Sequence, residues 1–187
     1  MIRSLNKFIF LNLLGWEVTG KVPDDKKIVA IVAPHTSWHD FFVGVFTRSV
    51  LKMENRIKFL GKYELFKNPL IGWVLRKLGG YPVVRNKQVN SVDSVVKIFE
   101  ENENFFLTLA PEGTRARVKS LKTGFYYIAL KAKVPILLVG FCFKRRVVHF
   151  GEMFHPSGDI DKDMKRIIRF FSNYHGKVPS KGLNHLI

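Results

Sequence analysis

Only one cysteine, Cys142, occurs in the 187 residues. It can close no internal disulfide and supplies no set of zinc ligands, so neither staples nor a structural metal are indicated. A reducing compartment is permitted by that scarcity but not required. Repeats, low-complexity tracts and Pro/Ser-rich linkers are missing too, which leaves one ordinary domain. Acidic residues are few: 15 Asp and Glu face 31 Lys and Arg, for a net charge of +16. Such a bias calls for an anionic partner, whether nucleic acid, an anionic membrane, an acidic protein or a phosphorylated substrate. No helix-turn-helix, zinc-finger or RNA-binding signature is present, so nucleic acid is the weakest of these. Basic clusters such as Lys26-Lys27, Lys144–Arg146 and Lys162–Arg169 could each equally be solvated surface.

What is present is core-forming material. Apolar residues make up 47% of the chain and aromatic residues 13%, which excludes disorder. Ile28–Ala33 and Phe105–Ala110 read as buried strands, and a third apolar strand opens at Val134-Pro-Ile136. Helical periods run from Val92 (Val95, Val96, Phe99) and from Ile160 (Met164, Ile167, Ile168, Phe171), with Asn90 and Asp159 as N-caps. After Asp40 the spacing predicts a helix with Phe42, Val45, Phe46, Ser49 and Val50 on one face. This alternation predicts a single α/β domain with a largely parallel sheet flanked by helices. Cys142, between Phe141 and Phe143, is expected to be buried.

Residues 1–27 form a lead-in and residues 28–187 the domain proper. The lead-in begins with Arg3 and Lys7 and continues in Phe8–Trp16, almost wholly apolar. That run falls short of the roughly 20 residues that cross a bilayer, and no small-residue cleavage site follows it. It reads as an amphipathic interfacial helix with Trp16 at headgroup level, or as a helix packed on the sheet, or both.

Two segments carry chemistry. In Ala33–Asp40, His35 and Asp40 lie beyond the carboxyl end of the first strand, where open α/β sheets place ligands. Imidazole is well suited to take a hydroxyl proton at neutral pH, and a carboxylate can orient it. Five residues along one helix are about 140° apart, so the two can meet only if His35 precedes the helix. In isolation such a pair also arises by chance, and His39 is a competing base. Half the chain later, Ala110–Arg115 follows the second strand with Glu112, Gly113, Thr114 and Arg115. Glycine lets the backbone approach closely, and arginine grips phosphate with a fork of donors; a solvated surface turn is the alternative. Gly79–Arg85 and Val134–Ile136 complete four segments in order, each at a strand edge.

With these four segments the chain resembles the glycerolipid acyltransferases typified by 1-acyl-glycerol-3-phosphate acyltransferase. The family's His-x4-Asp block matches His35 and Asp40, and its Pro-Glu-Gly-Thr-Arg block matches Pro111–Arg115. Looser blocks match Gly79–Arg85 and Val134–Ile136, and the resemblance spans about Ile28 to Phe141. Departures fall at Pro82, Val84, Ala110, Ala116 and Leu138, where the second to fourth blocks usually carry other residues. They loosen the link to one acceptor while leaving the base, its orienting acid and both arginines in place.

The resemblance implies acyl transfer in phospholipid synthesis. A thioester donor, acyl-CoA or an acidic acyl-carrier protein, would pass its acyl group to the hydroxyl of lysophosphatidic acid or a related lysophospholipid. His35 would act as base and Asp40 would orient it. Arg85 and Arg115 would bind the acceptor phosphate, Glu112, Gly113 and Thr114 would shape that loop, and Lys62 and Lys122 are secondary candidates. No metal or redox cofactor is implied. The enzyme would work as a peripheral protein on an anionic membrane, at its cytoplasmic face and without a transmembrane segment. A lyso-aminolipid acceptor, or a non-catalytic basic module binding membrane or nucleic acid, are the competing readings.

Overall fold

β-Branched and aromatic runs set the strands of this chain. The computed structural model describes residues 2–83 and 91–187. Its strands are β1 (Glu17–Gly20), β2 (Lys27–Ala33), β3 (Ile57–Lys62), β4 (Gly80–Val83), β5 (Phe105–Leu109), β6 (Ile136–Cys142) and β7 (Val147–Phe154). They pair in one sheet of order β1-β7-β6-β2-β5-β3-β4. Strands β6, β2, β5, β3 and β4 are mutually parallel, while β7 runs antiparallel to β6 and carries β1 with it. The reversal at β7 follows from its link: the four residues 143–146 permit a hairpin but not a crossover.

Strand alternation divides the core into two layers. Val29, Ile31, Leu107, Ile136 and Leu138 face one side, against α5 (Ser91–Glu101), α6 (Gly124–Ala132) and α7 (Ile160–Phe171). Ile28, Ala30, Phe106, Leu137 and Val139 face the other, against α2 (His39–Val50) and the N-terminal segment. Central strands buried on both faces are why Ile28–Ala33 reads as a continuous apolar run rather than an alternating one. Asp159 caps α7, accepting from the Lys162 N–H at 3.0 Å. Asn90, the other expected cap, and Arg85 lie outside the described residues.

The N-terminal segment both packs and protrudes. Helix α1 (Ile2–Lys7) runs into a π-helical turn, Phe8–Leu13. Phe10 is fully buried, and Trp16 is buried against Phe10 and Phe143. Trp16 therefore does not stand at headgroup level, because its indole completes the layer under β2 and β6. Leu5, Phe8, Leu13 and Leu14 stay exposed. The lead-in also supplies β1, an edge strand of the sheet. Among the described residues no helix is long and apolar enough to cross a membrane.

Helix α2 packs inward in part as its apolar spacing predicts, with Phe46 and Val50 against the core and Ser49 buried. Its buried residues are Asp40, Val43, Thr47, Arg48 and Ser49, while Phe42 is exposed. Three of these polar side chains are buried with partners: Asp40 accepts from the loop before the helix, Ser49 Oγ accepts from Asn6 Nδ2 at 3.1 Å, and Arg48 binds a neighbouring helix end. Arg48 reaches the carboxyl end of α4 (Pro69–Lys77), where its guanidinium donates to the Leu78 carbonyl and, at 3.0 Å, to the Lys77 carbonyl. A cation at a helix C-terminus satisfies carbonyls that have no intrahelical donor.

Gly79 makes that contact possible. Its φ is +89°, and a Cβ there would meet the Arg48 guanidinium and lie 2.7 Å from the Ile57 carbonyl oxygen. Gly79→Ala is therefore expected to lose about 2–4 kcal/mol, combining left-handed strain with overpacking. Urea unfolding with an unchanged m-value reads this loss directly. An alanine variant with the wild-type midpoint would show that Arg48 has other room.

Candidate active site

Neighbouring strands bring the two chemical segments together. β2 and β5 pair in parallel with Ile31 opposite Leu109, so the loops that follow them share one edge. From that edge α2 leaves across one face of the sheet and α6 across the other. Diverging connections of this kind open a crevice at the carboxyl ends of strands.

In that crevice His35 precedes α2 and Asp40 sits in its first turn. His35 Nδ1 lies 3.1 Å from Asp40 Oδ2, with the carboxylate 2% exposed and the imidazole 24%. The same oxygen accepts the backbone N–H groups of Thr36 and Ser37, each at 2.8 Å. Those donors fix the carboxylate, which then accepts a hydrogen bond from His35 Nδ1–H and leaves Nε2 as the acceptor. The carboxyl-terminal segment braces this loop from behind, where Thr36 Oγ1 accepts the Val178 N–H at 3.1 Å. The competing base is turned away: His39 Nδ1 lies 2.8 Å from Ser37 Oγ and its ring stacks on Trp38.

Glu112 joins the second loop to the first. It is buried, and its Oε1 accepts the backbone N–H of His35 at 2.6 Å. Burial pushes its carboxyl above the usual range, an effect that the hydrogen bond from His35 partly offsets. Its side chain thus supports the base from behind and does not line the cavity in front of it. The residue type hinted at this: a carboxylate set straight after a buried strand and a proline needs a donor. Which donor it finds is a matter of strand pairing.

The cavity has a volume of about 610 Å³ and is mostly apolar. His35, Asp40, Gly113, Thr114 and Arg115 line its polar end, while Val32, Phe106, Val139, Phe141 and Phe150 belong to its apolar wall. A volume of this order suits a flexible organic ligand, and a few convergent polar groups among apolar walls fix its orientation. Gly113 has a φ of +66°, and Thr114 Oγ1 accepts the Ala116 N–H at 3.2 Å, which shapes the turn that carries Arg115. Thr47 and Arg48 also border the cavity, two polar residues that the helical pattern did not single out.

The lysines part company. Lys122 is exposed beside Gly113: a Cβ built on that glycine would lie 3.4 Å from Lys122 Cγ. Lys62 is exposed at the end of β3 and does not border the cavity. The structure thus brings His35, Asp40, Glu112, Gly113, Thr114 and Arg115 to one place and leaves Lys62 outside it.

The chain is similar to proteins of one family. A family model described as acyltransferase matches residues 16–141, more than half of the chain. A 1-acyl-sn-glycerol-3-phosphate acyltransferase of Streptococcus pneumoniae is 30% identical over 136 residues, covering 68% of this chain and 49% of that protein. A chloroplast enzyme of the same name from Arabidopsis thaliana is 32% identical over 73% of this chain and 38% of its own length. The Bacillus subtilis protein of that name is 33% identical over 62% of this chain and 56% of its own. The chain spans about half the length of these curated relatives. In fold it is similar to the crystal structure of the 1-acyl-sn-glycerophosphate acyltransferase from Thermotoga maritima. That match has a TM-score of 0.57 and 22% identity, over 88% of this chain and 72% of the other. With the His35–Asp40 pair and the Pro111–Arg115 loop both inside the matched region, the chain belongs to the acyltransferase family.

Proposed function

We propose that this protein transfers a fatty acyl group from a thioester donor to the free hydroxyl of lysophosphatidic acid, at the surface of a membrane. The carrying observation is the oriented His35–Asp40 pair at the polar end of an apolar cavity that it shares with Gly113, Thr114 and Arg115. The names of the curated relatives support this choice of acceptor.

In this reading the acyl chain lies along the apolar wall and the thioester carbonyl comes to rest beside His35. Nε2 takes the proton of the acceptor hydroxyl as its oxygen attacks that carbonyl, and the imidazolium is stabilised by Asp40. The tetrahedral intermediate expels the thiolate, which takes the proton from His35, so base and acid are restored in one cycle. Arg115 holds the acceptor phosphate, and Arg85 is proposed as its partner from the sequence motif alone. Either acyl-CoA or acyl-acyl-carrier protein could supply the thioester, and the +16 charge suits both anionic donors.

Purified protein offered both donors and a panel of lyso-lipids, with products read by mass spectrometry, tests the proposal as a whole. Arg115→Lys tests the phosphate role. Lysine keeps the charge but loses the bidentate fork, so KM for the acceptor is expected to rise about tenfold while that for the donor holds; one charge-assisted hydrogen bond is worth about 1.5–3 kcal/mol. An acceptor without phosphate that is used equally well before and after Arg115→Ala would favour a lyso-aminolipid instead.

A further inference from the structure

Helices α3 (Tyr63–Lys67) and α4 form an apolar surface that the catalytic site does not use. Tyr63, Leu65, Leu70, Ile71, Trp73 and Val74 are all exposed, with Leu70 at 71% and Trp73 at 60%. Only Phe66 and Gly72 of these helices are buried. The inward face is therefore satisfied and the outward face is apolar, the reverse of a helix that meets water. Residues 62–77 carry Lys62, Lys67, Arg76 and Lys77 against one acid, Glu64. Lys67 Nζ lies 5.6 Å from the Tyr63 ring centre and Lys77 Nζ 5.9 Å from that of Trp73.

Topology sets this surface at the catalytic edge. β3 runs parallel to β5 with Phe59 opposite Thr108, and three further residues carry Lys62 about 10 Å beyond that level. Helix α3 begins there, on the edge from which the His35 and Arg115 loops emerge. Trp38 and Phe42, also exposed, follow His35 on the same edge. Arg48 holds the far end of α4 in place.

We infer that the α3–α4 unit is a bilayer-contact surface, which lays Leu70 and Trp73 into anionic lipid beside the mouth of the active site. Apolar side chains among lysines, with Trp and Tyr at the boundary, are what a membrane interface selects. Charge decides against a second copy of the chain. A two-fold interface would set four basic side chains against four others, whereas anionic headgroups attract all of them. The reading gives the proposed acyl transfer its geometry, since a lipid acceptor would then enter the cavity without crossing water.

Vesicle binding tests it without any turnover, so its failure is distinguishable from failure of the acyltransferase reading. With phosphatidylglycerol–phosphatidylcholine vesicles, the full chain carrying Leu70→Ser and Trp73→Ser is expected to partition about tenfold less, or weaker still. The conservative pair Leu70→Met and Trp73→Phe retains binding. Turnover of a short-chain, water-soluble acceptor stays at the wild-type rate in the serine variant, which reports an intact fold. In a Trp38→Phe chain the remaining exposed tryptophan is Trp73, because Trp16 is buried, and lipids brominated near the headgroup are expected to quench it. Wild-type partitioning by the serine variant, or an unquenched Trp73, would overturn the inference. So would unchanged partitioning with loss of a dimer in sedimentation, which would assign the surface to self-association.

Discussion

Replacing His35 with alanine is expected to abolish acyl transfer while leaving the fold and vesicle binding intact. Among the described residues, the imidazole is the one base in the cavity that an orienting carboxylate holds, at 3.1 Å. His39→Ala is expected to retain most activity, because that ring is engaged with Ser37 and Trp38 away from the cavity. Asp40→Asn is expected to cost a large factor. An amide can still accept from the Thr36 and Ser37 N–H groups, but it loses the charge that stabilises the imidazolium and favours the wrong tautomer. In a Ser–His–Asp triad the corresponding change lowers turnover by about 10⁴. Steady-state kinetics with a soluble acceptor check all three variants. Activity in His35→Ala together with an inactive His39→Ala would reverse the assignment.

The second large effect is expected at Glu112, which touches no substrate in this reading and positions the base. Glu112→Ala strips the acceptor from a buried backbone N–H, costing about 1–3 kcal/mol of stability. It also frees the His35 loop, and a displacement of about 1 Å at a reacting group can cost 10²-fold in rate. The loss should fall on kcat and leave KM for the acceptor near its wild-type value. Glu112→Gln keeps an acceptor oxygen for the His35 N–H and should rescue most of the rate. A fall in acceptor affinity with kcat preserved would instead place Glu112 in contact with substrate.

The same residue gives a pH signature. Burial raises the Glu112 carboxyl in the folded chain, so the folded state binds that proton more tightly than the unfolded state. Its contribution is whole below the unfolded carboxyl value, about 4.3. As pH rises through the raised folded value, the unfolded chain releases the proton first and stability declines. Glu112→Gln removes this dependence. The variant should therefore gain on wild type as pH rises through that window and level off above it, in urea titrations at stepped pH. A constant difference across pH would mean that Glu112 titrates alike in both states.

What the sequence determined by itself is local. Buried strands at β2 and β5 were legible because a run such as Ile-Val-Ala-Ile-Val-Ala has no polar face to solvate. Prolines at 34 and 111 fixed where those strands stop, so both chemical loops could be placed at strand ends. The angular spacing of side chains on a helix was enough to put His35 outside α2 and Asp40 within it. Asp159 declared itself as a cap by residue type.

Tertiary structure decided everything that depends on which segments become neighbours. Nothing local says that β2 pairs with β5, and only that pairing sets Glu112 against the His35 backbone. The burial of Arg48, with Phe42 left outside, was not legible in the apolar spacing of α2, because a guanidinium found helix-end carbonyls to satisfy. Trp16 has the composition of an interfacial residue and became core, since Phe10 and Phe143 close over it. Leu70 and Trp73 have the composition of core and stand exposed on α4. Burying an apolar side chain is favourable, but the chain alone does not say what will cover it.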